Sequence, residues 1–110
     1  MIEQVKGLLG FAMRAGQAHV GAQKALDLIQ RGKAALVLVD ETAARNTLDR
    51  LARKCQEGEV PLRVLPQGLL GQAIGRPQTM AMALQKGHFA AKLAETLPET
   101  NVTDRQTDNQ

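Results

Sequence analysis

The sequence predicts an α/β protein, a three-layer α/β/α sandwich built on a small four-stranded mixed sheet. Three observations lead there. Helix-period and strand-like apolar stretches alternate along the chain as α-β-α-β-α-β-α-β-α, an order that puts helices on both faces of a parallel or mixed sheet. Residues 34–39, Ala-Ala-Leu-Val-Leu-Val, are an unbroken apolar run, the pattern of a strand covered on both faces. The chain has 110 residues, 44% of them hydrophobic and 23% charged, which suits one domain with one core.

The elements follow in order. Ile2, Val5, Leu9 and Ala12 or Met13 recur at helical spacing, so residues 2–14 are expected to be a helix, with Gly16 past its end. Residues 18–20 suit a very short strand. Gly21 opens a second helix whose apolar stripe is Ala22, Ala25, Leu26 and Ile29, and Arg31-Gly32 stops it. After the strand 34–39, Thr42 is placed to cap a third helix, with Ala44, Leu48, Leu51, Ala52 and Cys55 facing inward. Its outer face carries Arg45, Asp49, Arg50, Arg53 and Lys54, and Gly58 ends it. Residues 61–66 form a short strand bracketed by Pro61 and Pro66. Leu69, Leu70, Ala73 and Ile74 make a short helix ended by Gly75, and residues 79–84 the last strand. Residues 86–95 form a final helix buried through Phe89 and Leu93. The expected domain is residues 1–96. Residues 97–110, with Pro98, Asn101, Thr103, Asp104 and Gln106, are polar and expected to be disordered.

Composition narrows the function classes. Aromatic residues make up 2% of the chain, Phe11 and Phe89 alone, so the core is expected to be aliphatic. That scarcity argues against base-stacking platforms, which display exposed rings. The net charge is +3 and unevenly spread. Residues 97–110 hold Glu99, Asp104 and Asp108 against Arg105, which leaves about +5 on residues 1–96, a balance suited to a polyanion. Cys55 is the single cysteine, so no internal disulfide is expected, in keeping with a reducing cytoplasm. The first residues lack the basic and apolar regions of a signal peptide, and no apolar run approaches the roughly 20 residues of a membrane span.

Catalytic equipment is sparse. Neither GxGxxG nor GxxxxGK[ST] occurs. Gly71-Gln72-Ala73-Ile74-Gly75 reads as a helix end. His19 and His88 have no second histidine or carboxylate at metal-ligand spacing, so no metal and no other cofactor are expected. Cys55 lies on an apolar stripe and reads as a small core residue. Asp40-Glu41 reads as the end of a strand leading into a capped helix, and Met80 and Met82 as core. The expectation is a protein that is not an enzyme.

A family resemblance rests on an ordered set of motifs. Gly21 opens a helix that Arg31-Gly32 closes, and Leu36-Val37-Leu38-Val39 precedes Asp40-Glu41. Cys55, Val60-Pro61, Leu70-Gly71-Gln72-Ala73-Ile74-Gly75 and Met80-Ala81-Met82-Ala83-Leu84 follow. In this order they resemble the ribosomal protein L7Ae family, whose members bind kink-turn RNA. Leu8-Leu9-Gly10-Phe11-Ala12-Met13-Arg14-Ala15-Gly16 and Lys86-Gly87-His88-Phe89-Ala90-Ala91-Lys92-Leu93 are closer to its bacterial YlxQ-like branch. The resemblance covers about residues 5–95.

It implies an α/β/α sandwich and RNA binding without catalysis. The family's RNA enters at the start of the second helix, at tandem sheared G·A pairs. On this chain the implied site is Gly21, Gln23, Lys24 and Asp27, with Arg76 and Gln78 in the loop after the fourth helix and Arg14 and Gln17 extending the basic rim. The family has Asn, Glu and Lys at the positions of Gln23, Lys24 and Asp27. Gln23 keeps a donor and an acceptor for a base edge, Lys24 adds a cation, and Asp27 adds a negative charge. The implied partner is structured RNA, with ribosomal RNA a candidate, bound by a monomer, with no membrane and no metal. Two other functions fit the same residues. One is a protein-interaction module of this fold that has lost kink-turn specificity, docking an acidic partner on Arg45, Arg50 and Arg53. The other is an RNA-recognition domain serving a separate RNA-modifying enzyme.

Overall fold

A computed structural model of the protein describes residues 2–98. The elements run α1 (Ile2–Arg14), β1 (Ala18–Val20), α2 (Ala22–Gln30), β2 (Ala34–Asp40), α3 (Arg45–Gly58), β3 (Leu62–Leu65), α4 (Leu69–Ile74), β4 (Ala81–Gln85) and α5 (His88–Thr96). The strands form one four-stranded sheet in the order β1-β4-β2-β3. β4 is antiparallel to both β1 and β2, and β3 is parallel to β2. The sheet is therefore mixed. The parallel pair needs a long crossover, which α3 supplies.

β2 shows why the sandwich has three layers. Side chains alternate across a strand. Leu36 and Leu38 pack with Val5, Leu9, Leu70, Met82 and Leu93 beneath α1, α4 and α5. Val37 and Val39 pack with Ala25, Leu28, Leu51 and Ala83 beneath α2 and α3. All four β2 side chains are fully buried, so the strand is apolar on both faces because both faces carry helices. Each such side chain contributes about 1.5–3 kcal/mol.

The structure corrects several details. α3 begins at Arg45, not beside Thr42, and no side chain caps it. Thr42 bonds back to Asp40 instead. Ala44 is exposed as the residue before the helix, and Ala43 packs inward. Glu59, in the left-handed region at φ 57°, closes α3 one residue beyond Gly58. On α2, Leu28 is buried and Leu26 only partly so. α5 is buried through Ala90 and Leu93, whereas Phe89 is half-buried and Phe11 is 54% exposed. The fully buried core is thus aliphatic, with Phe89 packed at its margin and Phe11 outside it. Leu97 is buried against the α1–α4–α5 layer. The expected disorder of the tail falls, from Glu99 onward, outside the described residues.

Cys55 lies in the α2–α3 core, and burial pushes its thiol pKa up to about 12. At pH 8 roughly one thiol in ten thousand is then the reactive thiolate. The native protein is expected to resist iodoacetamide at pH 8 under conditions that fully alkylate it in guanidinium. Rapid labelling of the native protein would contradict this placement.

Candidate nucleic-acid interface

β1 passes into α2 with only one residue between them. Gly21 makes this turn at φ 108°, ψ 149°, a region open to glycine and costly for other residues. Its N–H donates to the Ala81 carbonyl at 2.8 Å, and its carbonyl accepts from the Ala25 N–H at 3.0 Å. No side chain caps α2. The first N–H groups of a helix lack intrahelical partners, and the helix dipole concentrates positive potential there. The tip of α2 is thus a donor-rich end at the margin of the sheet.

The loop between α4 and β4 faces it. α4 ends at Gly75, in the left-handed conformation at φ 72°. The Arg76 N–H donates to the Gly71 carbonyl at 2.9 Å. Thr79 is buried and donates twice to the Arg76 carbonyl, from its N–H at 3.0 Å and its hydroxyl at 2.8 Å. The Met80 carbonyl accepts from the Asp40 N–H at 2.8 Å. These bonds set the loop's shape and leave Arg76, Pro77 and Gln78 exposed. Beneath it lies Gly71, buried on α4. A Cβ there would sit 2.8 Å from the Arg76 carbonyl oxygen and 2.9 Å from both Pro77 Cα and the Pro77 carbonyl oxygen. The loop can rest on α4 only because residue 71 has no side chain.

A second set of bonds fixes the same end of the sheet. Asp40 is 1% exposed. Its carboxylate accepts from the Thr42 hydroxyl at 2.6 Å, the Thr42 N–H at 2.8 Å and the Gly68 N–H at 2.8 Å. Burial raises the Asp40 pKa, but these bonds outweigh it and hold the carboxyl below its ordinary 3.8. Glu41 accepts from the Gln67 N–H at 2.9 Å. The two acids fasten the β3–α4 connection to the end of β2, which agrees with a strand-terminating role.

Between the α2 tip and the α4–β4 loop runs an open groove of ≈ 560 Å³, lined by residues 20–22 on one side and 76–81 on the other. Three of the sequence-derived residues meet there: Gly21, Arg76 and Gln78. Gln23, Lys24 and Asp27 stand exposed on α2, outside the groove lining. Gln23 donates to the Asp27 carboxylate at 3.3 Å, one turn along. Lys24 and Arg76 have no ion-pair partner among the described residues. Arg14 does not line the groove. Its guanidinium lies 4.7 Å from the centre of the Phe11 ring. Gln17 is also elsewhere, its side chain against Gly87. Residues 76–79 are the loop that the family resemblance implies, but sequence reasoning missed the role of Gly71 beneath it. Only the tight Gly71–Gly75 spacing hinted at that role.

The groove lining offers N–H donors, a guanidinium and an amide, and contains no carboxylate. Such a surface suits phosphates and base edges. No group of three or more His, Cys, Asp or Glu side chains able to hold a metal occurs among the described residues, nor does any helix there have the length and apolarity to cross a membrane.

Comparison with known proteins gives a consistent result. Residues 3–94 match the model of the ribosomal protein L7Ae/L30e/S12e/Gadd45 family. The RNA-binding protein YlxQ of Bacillus subtilis is 34% identical over 91 residues, spanning 82% of this chain and 91% of that protein. YlxQ of Enterococcus faecium, also named an RNA-binding protein, is 30% identical over 96 residues, 86% of this chain and 92% of the other. Among solved structures, a Bacillus halodurans protein of unknown function superposes with a TM-score of 0.78 at 30% identity, covering 83% of this chain and 93% of that one. The Giardia lamblia 15.5kD RNA binding protein superposes with a TM-score of 0.72 at 23% identity, over 86% of this chain and 84% of its own, and shares the fold.

Proposed function

The chain belongs to the ribosomal protein L7Ae/L30e/S12e/Gadd45 family, and we propose that it is a non-catalytic RNA-binding protein that takes a kink-turn-like structured RNA, such as a segment of ribosomal RNA, at the tip of α2. The observation that carries this reading is the groove itself. Segments 20–22 and 76–81, far apart in sequence, converge on a surface of N–H donors, one guanidinium and one amide. Phosphate contacts from the α2 N–H groups, Lys24 and Arg76 position the RNA, and Gln23 and Gln78 meet base edges. Asp27 accepts a hydrogen bond from Gln23 but keeps its negative charge, which opposes a phosphate on that side of α2. The names of the two YlxQ relatives support RNA as the partner class.

A gel shift with three RNAs tests it: a kink-turn, the same RNA with its G·A pairs replaced, and a plain duplex. The kink-turn is expected to bind tightest. The double variant Lys24→Ala/Arg76→Ala is expected to lower affinity by about tenfold or more and to reduce the slope of log affinity against log salt by about 2. Salt-independent binding that the double variant leaves unchanged would refute the reading. Equal binding to kink-turn and duplex would remove the kink-turn from it.

A further inference from the structure

The opposite end of the sheet carries a second surface of the same electrostatic sign. Lys33 precedes β2 and Lys86 follows β4. The register pairs Ala34 with Gln85, which makes the two lysines neighbours. β2 has seven residues, so they lie about 20 Å from the α2 groove. Gly32, Lys33, Gln85 and Lys86 line their own groove of ≈ 350 Å³. Both lysines are exposed, and neither has an ion-pair partner among the described residues. The His19 ring nitrogen lies 2.9 Å from Gln85 Oε1, so the Gln85 amide N–H groups remain available.

An aromatic surface lies nearby, because the Gln85 N–H donates to the Gln17 carbonyl at 3.0 Å and brings the end of α1 to the β4–α5 turn. Phe89 follows Lys86 by three residues and stacks on Phe11, with ring centroids 6.5 Å apart and planes 13° apart. The His88 ring meets Phe89 edge-on at 5.6 Å, and the Arg14 guanidinium covers Phe11. The only two aromatic residues of the chain are therefore paired near the surface, beside unpaired cations, with Phe11 more than half exposed. Cations that follow a backbone, next to rings on which bases stack, are what a single strand of nucleic acid requires. A rigid duplex would use the lysines but has no unstacked base for Phe11.

We propose that this end is a second RNA contact, which takes a single-stranded segment flanking the structured RNA: phosphates on Lys33 and Lys86, and a base on the exposed Arg14–Phe11 stack. The inference rests on the RNA-binding reading but not on the α2 groove, and the test separates them. Full-length protein is titrated with a blunt-ended kink-turn, with an oligouridine of about 12 nucleotides, and with the kink-turn carrying that oligouridine as a tail. The tail is expected to raise affinity about tenfold. Lys33→Ala/Lys86→Ala should abolish that gain and weaken oligouridine binding, with a salt slope lower by about 1.4. Because about 20 Å exceeds the screening length, the same variant should hold the blunt kink-turn to within about twofold of the parent. Phe11→Ala should weaken oligouridine binding about tenfold without changing that slope. Thermal melts verify that these surface variants fold.

A tail without effect, or lysine variants that bind all three RNAs like the parent, would overturn the second contact while leaving the α2 reading intact. Oligouridine binding lost in the lysine variant, together with no binding of the blunt kink-turn, would support the second contact and refute the α2 reading. An oligoglutamate peptide bound as tightly as oligouridine would overturn it in favour of an acidic protein partner.

Discussion

Gly71→Ala is expected to destabilise the protein by about 2–3 kcal/mol and to remove RNA binding at the α2 groove, although glycine-to-alanine in a helix ordinarily stabilises. The sign inverts because of what the new methyl group meets. Its three nearest contacts, at 2.8–2.9 Å, are backbone atoms of Arg76 and Pro77, not the flexible end of a side chain. Relief requires the loop to lift off α4. Lifting it strains the bond from the Arg76 N–H to the Gly71 carbonyl and moves the Arg76 carbonyl away from Thr79. Arg76 and Gln78 then leave the groove. Gly7→Ala is the matched control. Gly7 is exposed on α1, and a Cβ there meets nothing within 4 Å. That change is expected to stabilise by up to about 1 kcal/mol and to leave binding unchanged. Urea unfolding of both variants, with the kink-turn gel shift, decides the matter. A Gly71→Ala protein as stable as the parent would show that the loop does not depend on this contact.

The sequence revealed most of the fold because most of it is local periodicity. α1, β1 and α4 have the expected boundaries, each fixed by an apolar spacing and a stop such as Gly75. β2 was recognisable because residues on both its faces are apolar. The misreadings occur where one signal fits two structures. A threonine shortly after a strand can cap the coming helix or bond back to an aspartate. Thr42 does the latter, since the buried Asp40 carboxylate is the stronger acceptor at 2.6 Å. Phe89 sits on the inward stripe of α5, yet it is only half-buried: one side packs against the core and its ring also stacks on the exposed Phe11.

The site was less accessible to such reasoning. Gly21 could be singled out from its place before a helix, but nothing local to residues 76–81 says that they face it. That adjacency is set by the pairing of β1 with β4. Gly71 and Gly75 look equivalent in sequence. One is a left-handed cap and the other a bare surface under the loop, a difference that exists only once α4 and the loop are packed. Arg14 shows the opposite error. It is near Gly21 in sequence, but its side chain folds onto Phe11.

Asp40→Ala is expected to cost about 2–4 kcal/mol at neutral pH, because it strands two buried-side N–H donors and the Thr42 hydroxyl at once. Asp40→Asn, which keeps one acceptor oxygen, should cost less. The pH dependence identifies the cause. Burial raises the carboxyl pKa, the bonds from Thr42 and Gly68 more than offset it, and the folded value lies below 3.8. A group with a depressed folded pKa stabilises above its unfolded pKa, and that contribution is lost as the pH falls through the folded value. The stability gap between the parent and Asp40→Asn is therefore expected to be full at pH 7, to persist down to about pH 4 and to narrow below it. Comparing two proteins that share every other carboxyl cancels the remaining titrations. A gap that stays constant from pH 7 to about pH 2 would mean that the Asp40 charge contributes nothing and that shape alone holds this corner of the fold.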